Sequence, residues 1–224
     1  MIIPPLLLPF FILFVLLPFS LLFVLATPKV FQITFGLSYE EALLLFTLIV
    51  LGSFINIPLY RKKGKFVVGM YSFFGIIYQV VERRDIVIAV NLGGCIIPST
   101  LAIKLLLEIP LEAFLITFIV CTAIIYMFAK PIPNVGIAVP MFIPPMVSSL
   151  MSYLTIVSMN LPLYIIPKLA FSAGVLSALV GADILHLKDI EKIGSGVVSI
   201  GGAGTFDGIF LTGVFAVIFS LLLV

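Results

Sequence analysis

Apolar runs of about twenty residues, with scarcely a charge inside them, leave this chain few ways to fold. Seven of them stand out, at 3–26, 41–60, 92–107, 112–129, 137–157, 162–183 and 204–223. A helix that packs on a soluble core shows a polar face every 3.6 residues, and most of these runs are apolar all round. Mean hydropathy is +1.37 and only 10% of residues are charged, outside the range of a water-soluble domain. The predicted fold class is therefore all-α, a polytopic transmembrane helix bundle of seven spans, with residues 1–224 forming one integral membrane domain. Pro4, Pro5, Pro9 and Pro18 interrupt the first run, which has no basic leader. It reads as a retained helix kinked near Pro18.

Composition also excludes. A net charge of +2 with no long basic block gives no footing for nucleic acid, so the expected partners are membrane lipids. Cys95 and Cys121 lie in apolar runs without metal-ligand spacing and read as buried thiols. With a single histidine, His186, and no phosphate-binding glycine loop or nucleophile elbow, neither a metal nor a cofactor is expected.

Between the second and third runs, residues 61–91 differ in kind. Gly75–Val81 and Ile86–Val90 are short and rich in β-branched residues, and flank the tetrad Glu82-Arg83-Arg84-Asp85. They read as a β-hairpin, against a competing short interfacial helix near 66–79. Alternating the spans gathers nine of the twelve Lys and Arg on the side of loops 61–91, Lys130 and 184–203. The excess of basic residues places the hairpin and the N-terminus in the cytoplasm and the C-terminus outside, in a cell membrane. Lys104 and Lys168 read as snorkelling to the outer interface, and Tyr39 and Tyr60 as interface anchors.

The chemistry is concentrated in two carboxylates. Asp183 closes the sixth run and Asp207 opens the seventh, both at the cytoplasmic edge of this topology. A carboxylate against hydrocarbon is costly, and its default reading is functional. Successive helices joined by a short loop are antiparallel neighbours, so the two groups are placed to share one proton and act as acid and base. Gly201, Gly202, Gly204 and Gly208 surround the second aspartate, giving backbone freedom and room for a substrate. Asn91, at a helix start, either caps that helix or faces a polar pocket. Pro140 belongs to a proline-broken stretch, 131–145, of the kind that lines cavities or ion sites in transporters. A carrier of ions or protons using the same carboxylates is the alternative function. A noncatalytic scaffold is the third, with both aspartates as caps.

Gly204-Thr205-Phe206-Asp207-Gly208-Ile209-Phe210 resembles the Gly-x-Gly-Asp-x-Ile-Phe stretch of the presenilin and signal-peptide-peptidase class of intramembrane aspartyl proteases. The resemblance implies a membrane-embedded hydrolase acting on a membrane peptide, with Asp207 as the motif aspartate and Asp183 as its partner. The sequence departs from the class at Phe206, where the class has Gly, and at Ala182, where it has Tyr. The class also has a Pro-Ala-Leu element, to which Ala138-Val139-Pro140 and Pro144-Pro145 come nearest here. Over its C-terminal two thirds the chain also resembles an uncharacterised family of archaeal and bacterial integral membrane proteins. Asn91-Leu92-Gly93-Gly94, Gly136 to Pro145, Gly181-Ala182-Asp183 and the glycine stretch ending in Asp207-Gly208 carry that likeness, which implies no activity.

Overall fold

The computed structural model describes residues 14, 17–63, 66–73, 76–83, 86–132, 136–189, 196–202 and 208–224, and the chain divides into two compact units, 1–47 and 48–224. In the first unit, helix α1 (Leu17–Phe35) stops at Gly36, whose φ of +67° is the left-handed conformation that ends helices. The Gly36 amide still donates to the Gln32 carbonyl. Ser38 then opens α2 (Tyr39–Gly52) with a reciprocal cap: its amide donates to the Glu41 carboxylate at 2.8 Å, and its hydroxyl accepts from the Glu41 amide. Phe23 and Phe46 meet edge to face, 6.3 Å between ring centres.

The second unit mixes small sheets with helices. Strands β1 (Asn56–Lys62), β4 (Ile86–Asn91) and β7 (Gly196–Ile200) make one sheet, with β4 central, antiparallel to β1 and parallel to β7. Strands β2 (Phe66–Phe73) and β3 (Ile76–Arg83) pair antiparallel as a separate ribbon. The sequence therefore marked strands correctly around the charged tetrad and paired them wrongly: β3 joins β2, not β4. The reason lies in β4 itself. Its run Ile-Val-Ile-Ala-Val lacks a polar alternate, which suits a central strand, and a parallel partner requires a long crossover that local pattern does not reveal. Here that crossover contains most of the helices.

A π-helical turn, Leu92–Ile96, leads from β4 into α3 (Ile97–Leu105), and α4 (Leu111–Phe128) follows. A short hairpin of β5 (Lys130–Ile132) and β6 (Gly136–Ala138) precedes α5 (Ile143–Ser158). Then come α6 (Ile166–Ala178), a second π-helical turn (Leu179–Asp183) and, after β7, α7 (Gly208–Leu221). Helix α6 is the core: it packs on α3, α4, α5 and α7, and eleven of its thirteen residues are buried. Close approach comes from small residues. A side chain at Gly213 would lie 2.6 Å from Val175, so only glycine lets α7 seat on α6.

Several helices are shorter than the apolar runs that contain them. The run 41–60 is helical only to Gly52 and continues as β1; the run 137–157 begins as β6 and turns helical at Ile143, where Pro144 and Pro145 suit a first turn that needs no amide donors. Among the described residues, α4 and the continuous run Leu163–Asp189 are long and apolar enough to cross a membrane. Phe23–Phe35 and Tyr39–Gly52, bent by 116°, make a third if taken together. The polarity of α5 is inverted. On α5 the buried residues include Ser148, Ser149, Ser152 and Thr155, while Met146, Leu150, Leu154 and Val157 face outward. Hydrocarbon outside and hydroxyls inside is the pattern of a helix bundle in lipid.

Candidate functional site

Asp183 is the last residue of the π-helical turn that closes α6. Such turns widen a helix by one residue and recur at functional positions. The turn lies tight against α4: a side chain on Gly181 would stand 2.8 Å from the Thr122 carbonyl oxygen. Just beyond it, His186 is buried, its Nδ1 3.1 Å from the Gly181 carbonyl oxygen and its ring tilted by 35° against Tyr126 with centres 4.6 Å apart. Lys188 reaches over the same Tyr126 ring at 5.9 Å. His186 is thus part of the clamp that holds the Asp183 turn against α4.

Beside Asp183 opens a cavity of about 270 Å³. Its walls are Ile125 of α4, Ala178 of α6, Ala182, the non-helical stretch Ile137-Ala138-Val139 with Met141, Pro144 of α5, and Gly208, Ile209, Leu211 and Thr212 of α7. The lining is largely apolar, with the half-buried Asp183 as its charged group and Thr212 as its hydroxyl. That hydroxyl donates back to the Gly208 carbonyl at 2.6 Å. A largely apolar hollow with one carboxyl on its wall is the form a small binding site takes.

Asp183 and Gly208, two of the residues singled out from the sequence, line this one cavity. Asp207 and Gly204 lie outside the described residues. Pro140 is exposed in the turn between the lining residues Val139 and Met141, and is itself outside the wall. It accepts from the Ile143 amide, closing the turn that starts α5.

The remaining three gather elsewhere, at the junction of α2, β1, β4 and β7. Asn91 is buried and fully engaged: its side-chain oxygen accepts from the Gly94 amide at 2.7 Å, and its amide donates to the Ser53 carbonyl at 2.7 Å and to Asn56 Oδ1 at 3.0 Å. Of its two sequence readings the capping geometry is the one present, and it also ties β4 to the end of α2. Ser199 donates to the same Asn56 oxygen. Gly201, with φ of +74°, turns the chain off β7 against Cys95, where a side chain would come within 2.5 Å of Cys95 Cβ. At Gly202 it would come within 2.0 Å of Ser199 Oγ. The room for substrate expected beside Gly201 and Gly202 is filled by the protein's own atoms.

Sequence reasoning passed over Thr212, Tyr126 and the serines of α5. The signal was there, in hydroxyl residues at helical spacing inside apolar runs, yet each run was weighed by its hydrophobicity alone. Lys168 of α6, read as snorkelling, makes an ion pair with Glu108 in the α3–α4 turn.

The family model described as "Protein of unknown function (DUF1614)" matches residues 50–219, and the chain belongs to that family. No curated protein and no solved structure matches it.

Proposed function

We propose that this protein is a membrane-embedded hydrolase of aspartyl-protease type, with Asp183 and Asp207 as its two carboxyls and a membrane peptide as its substrate. One observation carries the reading: the cavity that holds Asp183 is also lined by Gly208, the residue that follows Asp207 in sequence. In this reading the two carboxyls share a proton across the cavity. The charged one takes a proton from the attacking water, while the neutral one gives its proton to the departing amide nitrogen. The apolar lining suits a hydrocarbon-soluble peptide segment, and the reading places the protein in a cell membrane with its N-terminus and the segment 61–91 facing the cytoplasm.

The experiment is cleavage of a fluorogenic transmembrane peptide by the purified protein in lipid nanodiscs. Asp183→Asn and Asp207→Asn are each expected to lower the rate by about 10²–10⁴-fold, the usual worth of a general acid or base, while leaving the melting temperature near wild type. Wild-type cleavage that survives either change ends the proposal.

A second reading, a proton or cation carrier, draws on a different observation. The cavity wall at Ile137-Ala138-Val139 and Met141 is non-helical backbone inside an otherwise apolar unit. Irregular backbone at membrane depth is tolerated where it lines a cavity, and carriers place their sites there. Ion-dependent protection of Asp183 from carbodiimide labelling, without peptide cleavage, favours that reading.

A further inference from the structure

Strand β1 exposes what an edge strand in water conceals. The chain leaves α2 through Phe54 and Ile55 and continues with Ile57, Leu59 and Tyr60; all five side chains are exposed, Phe54 at 68% and Leu59 at 66%. Arg61 and Lys63 follow, also exposed, and neither makes an ion pair among the described residues. Lys62 and Lys65 make this four cations in five residues of sequence, and no carboxylate occurs between Glu41 and Glu82. At about 3.3 Å per residue, β1 is roughly 20 Å long. Along it the exposed side chains pass from Phe, Ile and Leu through Tyr to Arg and Lys. A strand leaving a bilayer meets hydrocarbon, headgroup level and phosphate in that same order.

The backbone narrows what can cover this face. β1 has β4 along one edge and no strand along the other among the described residues. That free edge is barred to a further strand. Pro58 lacks an amide donor, and the ladder slips between Pro58 and Tyr60, leaving Leu59 as a bulge. Neither an extended peptide nor the β1 of a second copy can continue the sheet there. The charge points instead to an anion, and the apolar half of the strand to one that carries hydrocarbon. A phosphate suits Arg61 in particular, because the guanidinium fork gives it two parallel bonds.

We propose that β1 and the basic residues after it form a docking surface for anionic phospholipid. Phe54, Ile57 and Leu59 lie against the upper acyl chains, Tyr60 sits at headgroup level, and Arg61, Lys62 and Lys63 hold the phosphates. The surface prefers anionic over zwitterionic lipid because its cations have no carboxylate of their own to neutralise them. This binding goes beyond the hydrolase reading and does not depend on it, since lipid contact is measured without any peptide.

The chain has no tryptophan, so Leu59→Trp places a single emitter on the proposed surface. The full-length variant is put into nanodiscs of equal parts phosphatidylglycerol and phosphatidylcholine, with bromine, a contact quencher, high on the chains of one lipid or the other. Bromine on phosphatidylglycerol is expected to quench more, by an apparent association about fivefold stronger, the pull of one basic residue on an anionic surface. Ile119→Trp, on the exposed face of α4, is the control and should show no preference beyond about twofold. Adding Arg61→Gln/Lys62→Gln/Lys63→Gln to Leu59→Trp should bring its ratio down to that of the control. Equal quenching of the Leu59→Trp protein by both lipids overturns the proposal, as does a preference that survives the triple change. Quenching by neither means that protein covers the strand, and overturns it too. If the triple variant does not fold, about 1 M salt replaces it, since screening then acts within about 3 Å, and a preference unchanged in that salt overturns the proposal.

Discussion

The Asn91 junction and the Asp183 cavity use similar parts, a polar side chain set among glycines and apolar walls, and differ in what occupies the space between them. At the junction every hydrogen-bonding arm of Asn91 has a protein partner, and added side chains at Gly93, Gly201 and Gly202 would strike neighbouring atoms. At the cavity an added side chain at Gly208 would meet nothing within 4 Å, and Asp183 looks onto about 270 Å³ of space. Glycine-rich, polar-marked sequence therefore stands for two opposite things in one chain. Where the bonds close on themselves, the glycines permit close packing and the polar residue is a fastener. Where they leave a hollow, the polar group borders open space.

Substitutions at three positions break or sharpen that contrast. The largest effect is expected at Gly93, where a methyl group would sit 1.9 Å from the Ile49 carbonyl oxygen and 2.4 Å from the Ser53 amide nitrogen, both backbone atoms that cannot swing aside. Gly93→Ala should cost roughly 3–5 kcal/mol or prevent folding, read as lost thermal stability or yield in detergent. Next comes Asn91→Ala, which strips partners from the Gly94 amide and the Ser53 carbonyl. It should cost about 2–4 kcal/mol in denaturant unfolding. Asn91→Asp is the sharper probe, because it keeps the acceptor for Gly94 and removes the donor to Ser53, and it should fall between wild type and alanine. The smallest effect is expected for Gly208→Ala, within about 0.5 kcal/mol of wild type, since the new methyl enters open space. A Gly208→Ala variant as damaged as Gly93→Ala would erase the distinction between a packed glycine and an open one.

Much of the molecule was legible in the residues. β-Branched runs marked β3 and β4, though not which strands pair, and the apolar runs marked the helices. Asp183 stood out because charge against hydrocarbon is expensive wherever the chain puts it. The polar faces inside the apolar helices were equally present and went unread: Ser148, Ser152 and Thr155 show a helical period that becomes conspicuous only when the exposed face is known to be hydrocarbon.

By itself the sequence determined the solvent this chain was made for, the places where helices cannot continue, and the presence of a carboxyl at the end of the sixth run. Those properties depend on each residue and its near neighbours: transfer cost, proline's missing donor, glycine's free φ. Pairing and vacancy were decided by the tertiary structure. Whether β4 takes β3 or β7, and whether a glycine beside a polar group is filled or open, depends on atoms that arrive from a hundred residues away. Ile200 beside Val90 is a fact of that kind. No local energy encodes it, because the crossover from β4 to β7 is set only when α6 buries most of its surface among the other helices.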